Sequence, residues 1–447
     1  MKKANKFSGL ILASALVASI FTGCAKNESA TTSSPTPAPT SGTATVTATP
    51  APDKYTGGPV ELLVQDRNTG LTEEEFDEYF AKPVKAKYPD ITLKLTKETN
   101  LDKLLAGGTP PDLVAVSNAR LREYMDVDYP EELDPTIKKY NIDLNAIEPS
   151  IVEVLKGIGK GKIYGLPFGM NYGAMIYNKD LFDKFNVPYP KDVITWDEYL
   201  DISKRLTRQD GGTQYIGGSP NSVKTLLKQF GAPIADPKDE KIVLSTDKHK
   251  DAYSLLQKFY DIPGFIQGNN INPTAIYEGK TAMQVNWVAG IAIDTTKNKP
   301  AFNWDIAAFP VVKERPTIGA PVDFHMLAVN KAGKNKEAAY RVLMTMLDPK
   351  FQEELTKNGR ITPLKDPKIK EMFAQKSKAF EGKNLKGVFK VAPAILPDYS
   401  QWEGIAGTYI DNVAKEMGLN KKDMNTASRE QEEAGNKAVN DAKAAKK

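Results

Sequence analysis

Short apolar runs alternate with amphipathic stretches along most of this chain. Four of the runs have the length and composition of β-strands, at Val60–Val64, Ile91–Lys97, Asp112–Val116 and Ala174–Asn178. The stretches between them repeat apolar residues at helical spacing. This alternation of strands and helices predicts an α/β fold with largely parallel sheets.

Two of the predicted helices begin with a capping-box pattern, in which Thr is followed three residues later by Glu. The pairs are Thr72 with Glu75 and Thr195 with Glu198. Each side chain of such a pair hydrogen-bonds the backbone N–H of the other residue. We therefore predict that helices begin directly after Thr72 and Thr195.

The N-terminus has the pattern of an export signal. Three lysines precede Leu10–Phe21, an apolar run that is too short to span a membrane. Small residues then lead to Cys24, the only cysteine of the chain, which excludes an internal disulfide bond. This arrangement resembles the lipobox of bacterial lipoproteins, in which the cysteine is acylated; an ordinary signal peptide with an incidental cysteine is the alternative. We predict a lipoprotein signal peptide over 1–23 and a lipid anchor on Cys24.

Residues 24–57 are predicted to contain the lipidated cysteine and a disordered linker. Between Ser29 and Pro52, every residue except Val46 is Ser, Thr, Pro, Ala or Gly. Such a composition buries too little apolar surface to offset the entropy of ordering. The body of the protein is therefore expected at the extracellular face of the bacterial cell membrane, held there by a flexible spacer.

Charge and composition exclude several classes of function. Residues 1–23 carry three lysines and no acid, so the rest of the chain has 57 basic and 56 acidic residues. This balance argues against a nucleic-acid partner, because nucleic-acid binding needs a concentrated basic surface. The chain has two histidines and contains neither a GxSxG nor an HExxH sequence. We therefore predict that the protein is not an enzyme and that it holds no metal and no cofactor.

Five phrases of the sequence recur together, in the same order, in one protein family. They are AGGTPPDLVAVS (106–117), YGLPFGMNYGAMIYNKDLFDKF (164–185), TWDEYLDISKRLT (195–207), YEGKTAMQVNW (277–287) and NKEAAYRVLMTMLDPKFQEELTKNGRITPL (335–364). Together they resemble the family 1 extracellular solute-binding proteins of bacterial ABC importers, the group that includes maltodextrin- and oligosaccharide-binding proteins. The resemblance extends over nearly all of residues 59–420.

The resemblance implies a two-lobed periplasmic-binding-protein-like fold of type II. In that fold each α/β lobe is built from discontinuous stretches of chain, and crossing segments form a hinge beside an interlobe ligand cleft. By analogy the first lobe comprises residues 58–170 plus 309–362. The second lobe comprises residues 171–308 plus 363–447, and the protein is expected to be a monomer.

The resemblance also implies where a carbohydrate ligand binds. A pyranose ring has an apolar face and a rim of hydroxyl groups, so a buried site for it needs both aromatic surfaces and planar polar groups. Five residues fall where the family places such groups: Asp66, Asn171, Tyr172, Trp287 and Trp402. Asp323 is the sixth candidate, because its segment, GAPVDFHMLAV (319–329), returns to the first lobe near the cleft.

Three of these six residues also have a purely structural interpretation. Asp66 either contacts the ligand or caps the helix that begins near Thr72. Asn171 either contacts the ligand or satisfies backbone groups at the hinge. Trp287 either lines the cleft or packs in the core.

The remaining aromatic and imidazole side chains divide between the cleft and the core. Trp402 is predicted to be an exposed platform, because Pro397 and Gly404 interrupt the segment around it and no continuous helix face requires a buried indole. His325, two residues after Asp323, belongs to a segment that returns to the first lobe near the cleft. Three aromatic residues are predicted to lie in the core: Trp196, Trp304 and Tyr177.

The leading functional hypothesis is a membrane-anchored receptor that captures a carbohydrate, an oligosaccharide above all, between its lobes. It would deliver the sugar to the transmembrane permease subunits of an ABC importer. One alternative is a receptor of the same fold for a non-sugar solute or with a sensory role. Another is a secreted glycan-acting enzyme, which would need two carboxylates facing each other across the cleft.

Overall fold

The computed structural model describes residues 54–67, 69–220, 222–273, 275–395 and 400–445. The predicted signal peptide over 1–23, Cys24 and the predicted linker as far as residue 53 lie outside these ranges. Within the described ranges, no helix combines the length and the apolar character needed to cross a membrane.

The strands of the described ranges are short, as is usual in α/β proteins. They are β1 (Val60–Arg67), β2 (Ile91–Thr96), β3 (Leu113–Ser117), β4 (Leu166–Asn171), β5 (Gly173–Asn178), β6 (Arg208–Asp210), β7 (Thr213–Tyr215), β8 (Met283–Trp287), β9 (Trp304–Ala308), β10 (Ile318–Pro321), β11 (Asp323–Val329) and β12 (Ala392–Ala394).

The helices of the described ranges lie mostly between these strands and at the C-terminus. They are α1 (Glu73–Phe76), α2 (Lys82–Lys87), α3 (Leu101–Ala106), α4 (Leu121–Met125), α5 (Asp134–Lys139), α6 (Pro149–Ile158), α7 (Lys179–Lys184), α8 (Trp196–Leu206), α9 (Val223–Phe230), α10 (Asp247–Tyr260), α11 (Val288–Asn298), α12 (Lys336–Met346), α13 (Pro349–Lys357), α14 (Pro367–Lys370), α15 (Leu385–Val388), α16 (Glu403–Gly418) and α17 (Met424–Ala445). A wider helical turn, Asp77–Ala81, joins α1 to α2.

Both predicted capping boxes are present. The Glu75 N–H donates to Thr72 Oγ1 at 3.0 Å, and the Thr72 N–H donates to Glu75 Oε2 at 3.5 Å. The Glu198 N–H donates to Thr195 Oγ1 at 3.2 Å, and the Thr195 N–H donates to Glu198 Oε2 at 2.7 Å. The prediction that helices begin directly after these threonines is confirmed, since α1 and α8 do so.

The first lobe is built on a five-stranded sheet with the order β2-β1-β3-β11-β4. β1 pairs in parallel with β2 and with β3, so the predicted parallel arrangement is confirmed for these three strands. β11 comes late in the chain, yet it lies between β3 and β4 and is antiparallel to both. The first lobe is therefore completed by a segment that returns after a long excursion.

The second lobe is built on a three-stranded sheet with the order β8-β5-β9. β5 is antiparallel to β8 and to β9, so the prediction of largely parallel sheets is wrong for this lobe. The apolar pattern of a segment predicts which of its residues are buried. It does not predict whether a strand from a distant part of the chain pairs in parallel or antiparallel. Two small pairs complete the strand pairing, β6 with β7 and β10 with β12.

The chain passes from the first sheet to the second through a single residue. β4 ends at Asn171 and β5 begins at Gly173, so only Tyr172 separates the two sheets. A Cβ atom at Gly173 would lie 2.2 Å from the Cβ of Ala320 and 2.7 Å from the ring of Phe309. The close approach of these crossing segments therefore requires a glycine.

An apolar core fills each lobe and continues across the crossing. One hydrophobic cluster contains Val116 of β3 together with Ile176 of β5, and so includes side chains from both sheets. The three aromatic residues predicted to lie in the core are buried, which confirms that prediction: Trp196, Tyr177 and Trp304. The indole Nε1 of Trp196 donates to Gln229 Oε1 at 2.8 Å, so its one polar atom is satisfied.

Candidate ligand-binding cleft

The predicted ligand residues lie at strand ends beside the crossing. Asn171 is the last residue of β4 and is paired in register with Asp323, the first residue of β11. Trp287 is the last residue of β8 and is paired with Gly173. Asp66 lies near the end of β1, where it is paired with Ala115 of β3. The structure thus brings Asn171, Asp323 and Trp287 together at the junction of the two sheets.

Asp66 fixes the loop that follows β1. Its side chain is 6% exposed, and its Oδ1 accepts hydrogen bonds from the N–H and the hydroxyl of Thr69 at 2.9 and 2.6 Å. Its Oδ2 accepts from Lys97 Nζ at 2.8 Å. Thr72 caps α1, so the helix-cap alternative for Asp66 is wrong. These three hydrogen bonds hold the loop at the end of the sheet.

Arg360 is a residue of this region that the sequence analysis did not single out. It forms a two-pronged ion pair with Glu75, in which its NH2 group lies 3.0 Å from Glu75 Oε2. Its NH1 group donates to the Thr69 carbonyl at 3.1 Å. Arg360 therefore ties the loop after β1 to the chain that leaves α13. It stands within the phrase NGRITPL, but nothing in the local pattern separates it from an exposed arginine.

His325 lies next to this arginine and is neutral. Its Nδ1 is 3.1 Å from the NH1 group of Arg360. Burial above all, together with the charge of Arg360, lowers the pKa of His325 to about 3, and Asp66 acts in the opposite direction. Since a guanidinium only donates, the imidazole Nδ1 accepts and the proton resides on Nε2.

Asn171 connects the two lobes at the crossing. Its Nδ2 donates to Asp323 Oδ2 at 3.2 Å, and its Oδ1 accepts from the N–H of Ala289 at 3.1 Å. The N–H of Val288 donates to the Tyr172 carbonyl at 2.8 Å. The first two N–H groups of α11 are thus satisfied by the crossing segment, which matches the hinge interpretation of Asn171.

Asp323 is a carboxyl group with a raised pKa. Burial raises the pKa of Asp323 to about 6, while the hydrogen bond from Asn171 and the charge of Lys228 act in the opposite direction. Lys228 belongs to α9 of the second lobe and forms an ion pair with Glu403 at 2.5 Å. A positive group of the second lobe therefore lies close to an acidic group of the first.

Tyr172 and Trp287 are the partly buried aromatic residues at the crossing. The ring of Tyr172 packs edge-on against Phe389, with ring centroids 5.2 Å apart, and burial raises the pKa of Tyr172 to about 12. Trp287 precedes α11 and packs one part of its indole against the core of the second lobe. Trp287 as a residue is only partly buried, and it lies at the end of β8 beside the crossing.

Trp402 differs from its prediction. Its side chain is 4% exposed and belongs to the core of the second lobe, so the prediction of an exposed platform is wrong. Its Nε1 donates to the carbonyl of Asp239 at 2.8 Å. Asp239 lies 163 residues away in the sequence, and so distant a partner leaves no trace in the pattern around Trp402.

The two lobes touch on both sides of the crossing. A cavity of about 20 Å³ separates residues of both lobes and is lined by Asn118, Ala119, Arg122, Ile158 and Lys160 from the first and by Asp239, Ser400, Gln401 and Glu403 from the second. This volume holds about one water molecule. On the other side, a Cβ atom at Gly70 would lie 3.3 Å from Cδ1 of Ile293. None of the six predicted ligand residues lines the cavity of about 20 Å³.

A larger groove lies elsewhere, on the surface of the second lobe. It has a volume of about 540 Å³ and runs beside Trp196, Phe230 and Leu255. None of the six predicted ligand residues lines it. Among the described residues, no group of three or more His, Cys, Asp or Glu side chains is arranged to hold a metal ion.

Two α/β lobes, each built on its own sheet and joined by crossing segments, define a type II solute-binding fold. Residues 70–353 match the family of bacterial extracellular solute-binding proteins, and the chain belongs to this family.

Individual relatives agree with this assignment. A binding protein of Brucella abortus is 25% identical over 337 residues, which cover 70% of this chain and 78% of the relative. The putrescine-binding periplasmic protein PotF of Escherichia coli is 23% identical over 308 residues, which cover 63% of this chain and 78% of PotF.

A solved structure has the same architecture. The ABC substrate-binding protein Lmo0181 of Listeria monocytogenes, in complex with cycloalternan, superposes with a TM-score of 0.68 at 20% identity. The match covers 86% of this chain and 99% of the Listeria protein. At this identity the likeness establishes the two-lobed fold, and the ligand class is a separate question.

Proposed function

We propose that this protein captures a carbohydrate, an oligosaccharide above all, between its lobes and delivers it to the permease subunits of an ABC importer. The observation that carries the proposal is the fold likeness to the Listeria protein, which holds cycloalternan and matches 86% of this chain. The protein acts as a monomer, and ATP hydrolysis takes place on other chains of the importer.

The charges around the cleft favour a neutral ligand. Asp66 is paired with Lys97, and Glu403 is paired with Lys228, so these acids offer little to a polyamine. The first N–H groups of α11 are occupied by the crossing segment, so this helix end offers little to an anion. A sugar, which carries hydroxyl groups and no charge, fits such a balanced cleft.

Among the predicted ligand residues, the structure supports different roles. Trp287 and Asp323 are only partly buried, and their strand partners, Gly173 and Asn171, flank Tyr172, so we assign ligand contact to Trp287, Asp323 and Tyr172. Asp66 and Asn171 act through the loop and the hinge that they hold. The interlobe cavity of about 20 Å³ admits no oligosaccharide, since pockets for ligands of that kind have volumes of several hundred Å³. Capture therefore requires the lobes to separate about the crossing and to close again over the ligand.

A thermal-shift screen tests the ligand class. The purified protein is melted with maltotriose, mannobiose and cycloalternan, and separately with putrescine, glycine and a dipeptide. We expect at least one glycan to raise the melting temperature, because a ligand at 100 times its dissociation constant adds about 2.7 kcal/mol of stability. A melting temperature raised by putrescine or by the amino acids, and by no glycan, would contradict the carbohydrate proposal.

PotF supports one alternative solute class. It is a relative at 23% identity, and its name states that it binds putrescine. A polyamine receptor needs unpaired carboxylates in the cleft, whereas the acids at this crossing face cations or amide donors. The putrescine arm of the screen separates the two classes.

A glycan-acting enzyme is the other alternative. It would turn over the tested oligosaccharides, which chromatography of the products would detect.

We also propose that the chain is a lipoprotein anchored through Cys24 at the extracellular face of the cell membrane. Full-length Cys24→Ala, expressed in a Gram-positive host, is expected to appear in the medium or as an uncleaved precursor, because it has no thiol to acylate. Ser29→Ala is the matched control, and it should remain in the membrane fraction. Fractionation and immunoblotting measure both. Equal membrane fractions for Cys24→Ala and the control would rule out attachment through this residue.

A further inference from the structure

The segment Ser400–Glu403 faces the first lobe across the interlobe cavity, and one residue of a distant turn holds it. Asp239 Oδ1 accepts from the Ser400 hydroxyl at 2.6 Å. Asp239 Oδ2 accepts from Gln401 Nε2 at 3.2 Å, and its carbonyl accepts from Trp402 Nε1 at 2.8 Å. Three consecutive residues of the cleft segment therefore bind a single aspartate.

Asp239 occupies a tight turn that places its polar groups on the cleft side. Its φ angle is +55°, in the left-handed region, which Asp adopts more readily than most residues. The Asp239 N–H donates to the Asp236 carbonyl at 2.8 Å, and the Asp236 N–H donates to the Lys241 carbonyl at 3.0 Å. The turn is thus closed by its own backbone, and the carboxylate of Asp239 is directed at the cleft segment.

Helix α17 holds the residues that follow this turn. The side-chain amide of Asn436 accepts from the Ile242 N–H at 2.9 Å and donates to the Ile242 carbonyl at 3.0 Å. It thus satisfies both backbone groups of Ile242, as a neighbouring strand would. Glu432 accepts from the Leu244 N–H at 2.6 Å. A Cβ atom at Gly435 would lie 2.3 Å from Cδ1 of Ile242, so the helix packs directly on the turn. Helix α17 therefore fixes the position of the turn that contains Asp239.

The groups across the cavity belong to the first lobe. Asn118 and Ala119 follow β3, Arg122 lies in α4, and Lys160 follows α6; all four line the same cavity as the cleft segment. A shift of the segment Ser400–Glu403 would change which of its atoms face these four residues across the cavity. The position of this segment therefore helps to define the shape of the cleft.

We propose that Asp239 is a positioning residue for the cleft, which sets the segment Ser400–Glu403 against the first lobe and so sets the affinity for the sugar. The proposal rests on the proposed function, because it takes the interlobe cleft as the site of sugar binding. Asp239 acts through the segment that it holds and is not itself assigned a ligand contact.

Glycine at position 239 isolates the carboxylate. Asp239→Gly suits a φ of +55° and keeps the backbone carbonyl that Trp402 binds, so only the side-chain bonds are lost. Asp128→Gly is the matched control: Asp128 also has a positive φ, of +53°, and its carboxylate pairs with exposed Lys331 in the first lobe. Asp239→Asn is the conservative variant, since Asn tolerates the same φ and retains an oxygen for Ser400.

The first measurement needs no sugar. The chain has four tryptophans, so selective ¹⁵N-tryptophan labelling of the full-length protein gives four indole signals, and Trp402→Phe identifies that of Trp402. We expect Asp239→Gly to shift this signal and to speed its hydrogen exchange at least 10-fold. Asp128→Gly and Asp239→Asn should leave the exchange rate within about threefold of wild type. An unchanged Trp402 signal in Asp239→Gly would overturn the proposal.

The second measurement is affinity, by calorimetry with maltotriose, mannobiose and cycloalternan. For a sugar that wild type binds, Asp239→Gly should bind at least 10-fold more weakly, and Asp239→Asn should restore most of the affinity. Equal affinity for wild type and Asp239→Gly, alongside faster exchange of Trp402, would leave Asp239 only a structural residue and would overturn the proposal. Binding of none of the three by wild type would count against the proposed function, and the exchange rate alone would then decide whether Asp239 positions the segment.

Discussion

Trp402→Ala is expected to lower the free energy of unfolding by about 3 to 5 kcal/mol, as truncation of a buried tryptophan does. The indole is 4% exposed within the core of the second lobe. Its removal also takes from the carbonyl of Asp239 the nearer of two donors, since Gln401 Nε2 is the other, at 3.4 Å. The sequence around Trp402 predicts a small loss of stability, because it predicts an exposed ring; the structure reverses that expectation.

Urea unfolding of three variants measures this effect. Trp402→Phe keeps most of the apolar contact and loses the one hydrogen bond, so it should cost about 1 to 2 kcal/mol. Trp287→Ala is the matched control, because Trp287 is only partly buried and should cost less than half as much as Trp402→Ala. A cost below about 1 kcal/mol for Trp402→Ala would show that the ring is not part of the core.

Arg360→Met is expected to cost about 2 to 4 kcal/mol. Removing one partner of a buried ion pair typically costs about 3 to 5 kcal/mol, and the 21% exposure of the Glu75 side chain reduces this figure. The variant also leaves the Thr69 carbonyl without the Arg360 donor. The loss should therefore appear as lower stability of the first lobe, with the loop after β1 the first part to exchange its amide hydrogens.

A double-mutant cycle isolates the pair. Glu75→Gln removes the charge and keeps a side chain suited to the capping box with Thr72. If the pair is coupled, the double variant should cost at least 1 kcal/mol less than the sum of the two single variants. Additive costs would contradict the coupling.

In Arg360→Met, an NMR titration should also show a higher pKa for His325 than in wild type, because the cation that lowers this pKa is gone. His249, whose pKa burial lowers to about 4, is the internal control and should not change.

The sequence predicts those features that neighbouring residues determine. The capping boxes at Thr72 and Thr195 involve residues three positions apart, and both form as expected. Burial of Trp196 follows from its place on the apolar face of a capped helix, and it too is confirmed. In each case the partner lies within one or two turns.

Features that depend on distant partners could not be predicted in the same way. The burial of Trp402 depends on Asp239, and the role of Arg360 depends on Glu75, at separations of 163 and 285 residues. The antiparallel pairing of β5 likewise depends on strands that come much later in the chain. Such contacts are set by the whole fold, and a local pattern carries no record of them.

The position of β11 has a consequence for the order of synthesis. Asp323–Val329 fills the place between β3 and β4. Until about 330 residues have been made, β3 therefore has an unpaired edge and β4 lacks its partner strand in the sheet. β5, β8 and β9 all emerge earlier, so the sheet of the second lobe can close first. A nascent or partly translocated chain therefore exposes an open sheet edge until β11 has been made, and exposed sheet edges promote aggregation. Of the two sheets, that of the first lobe is therefore the later to be completed, although its first strands are made early.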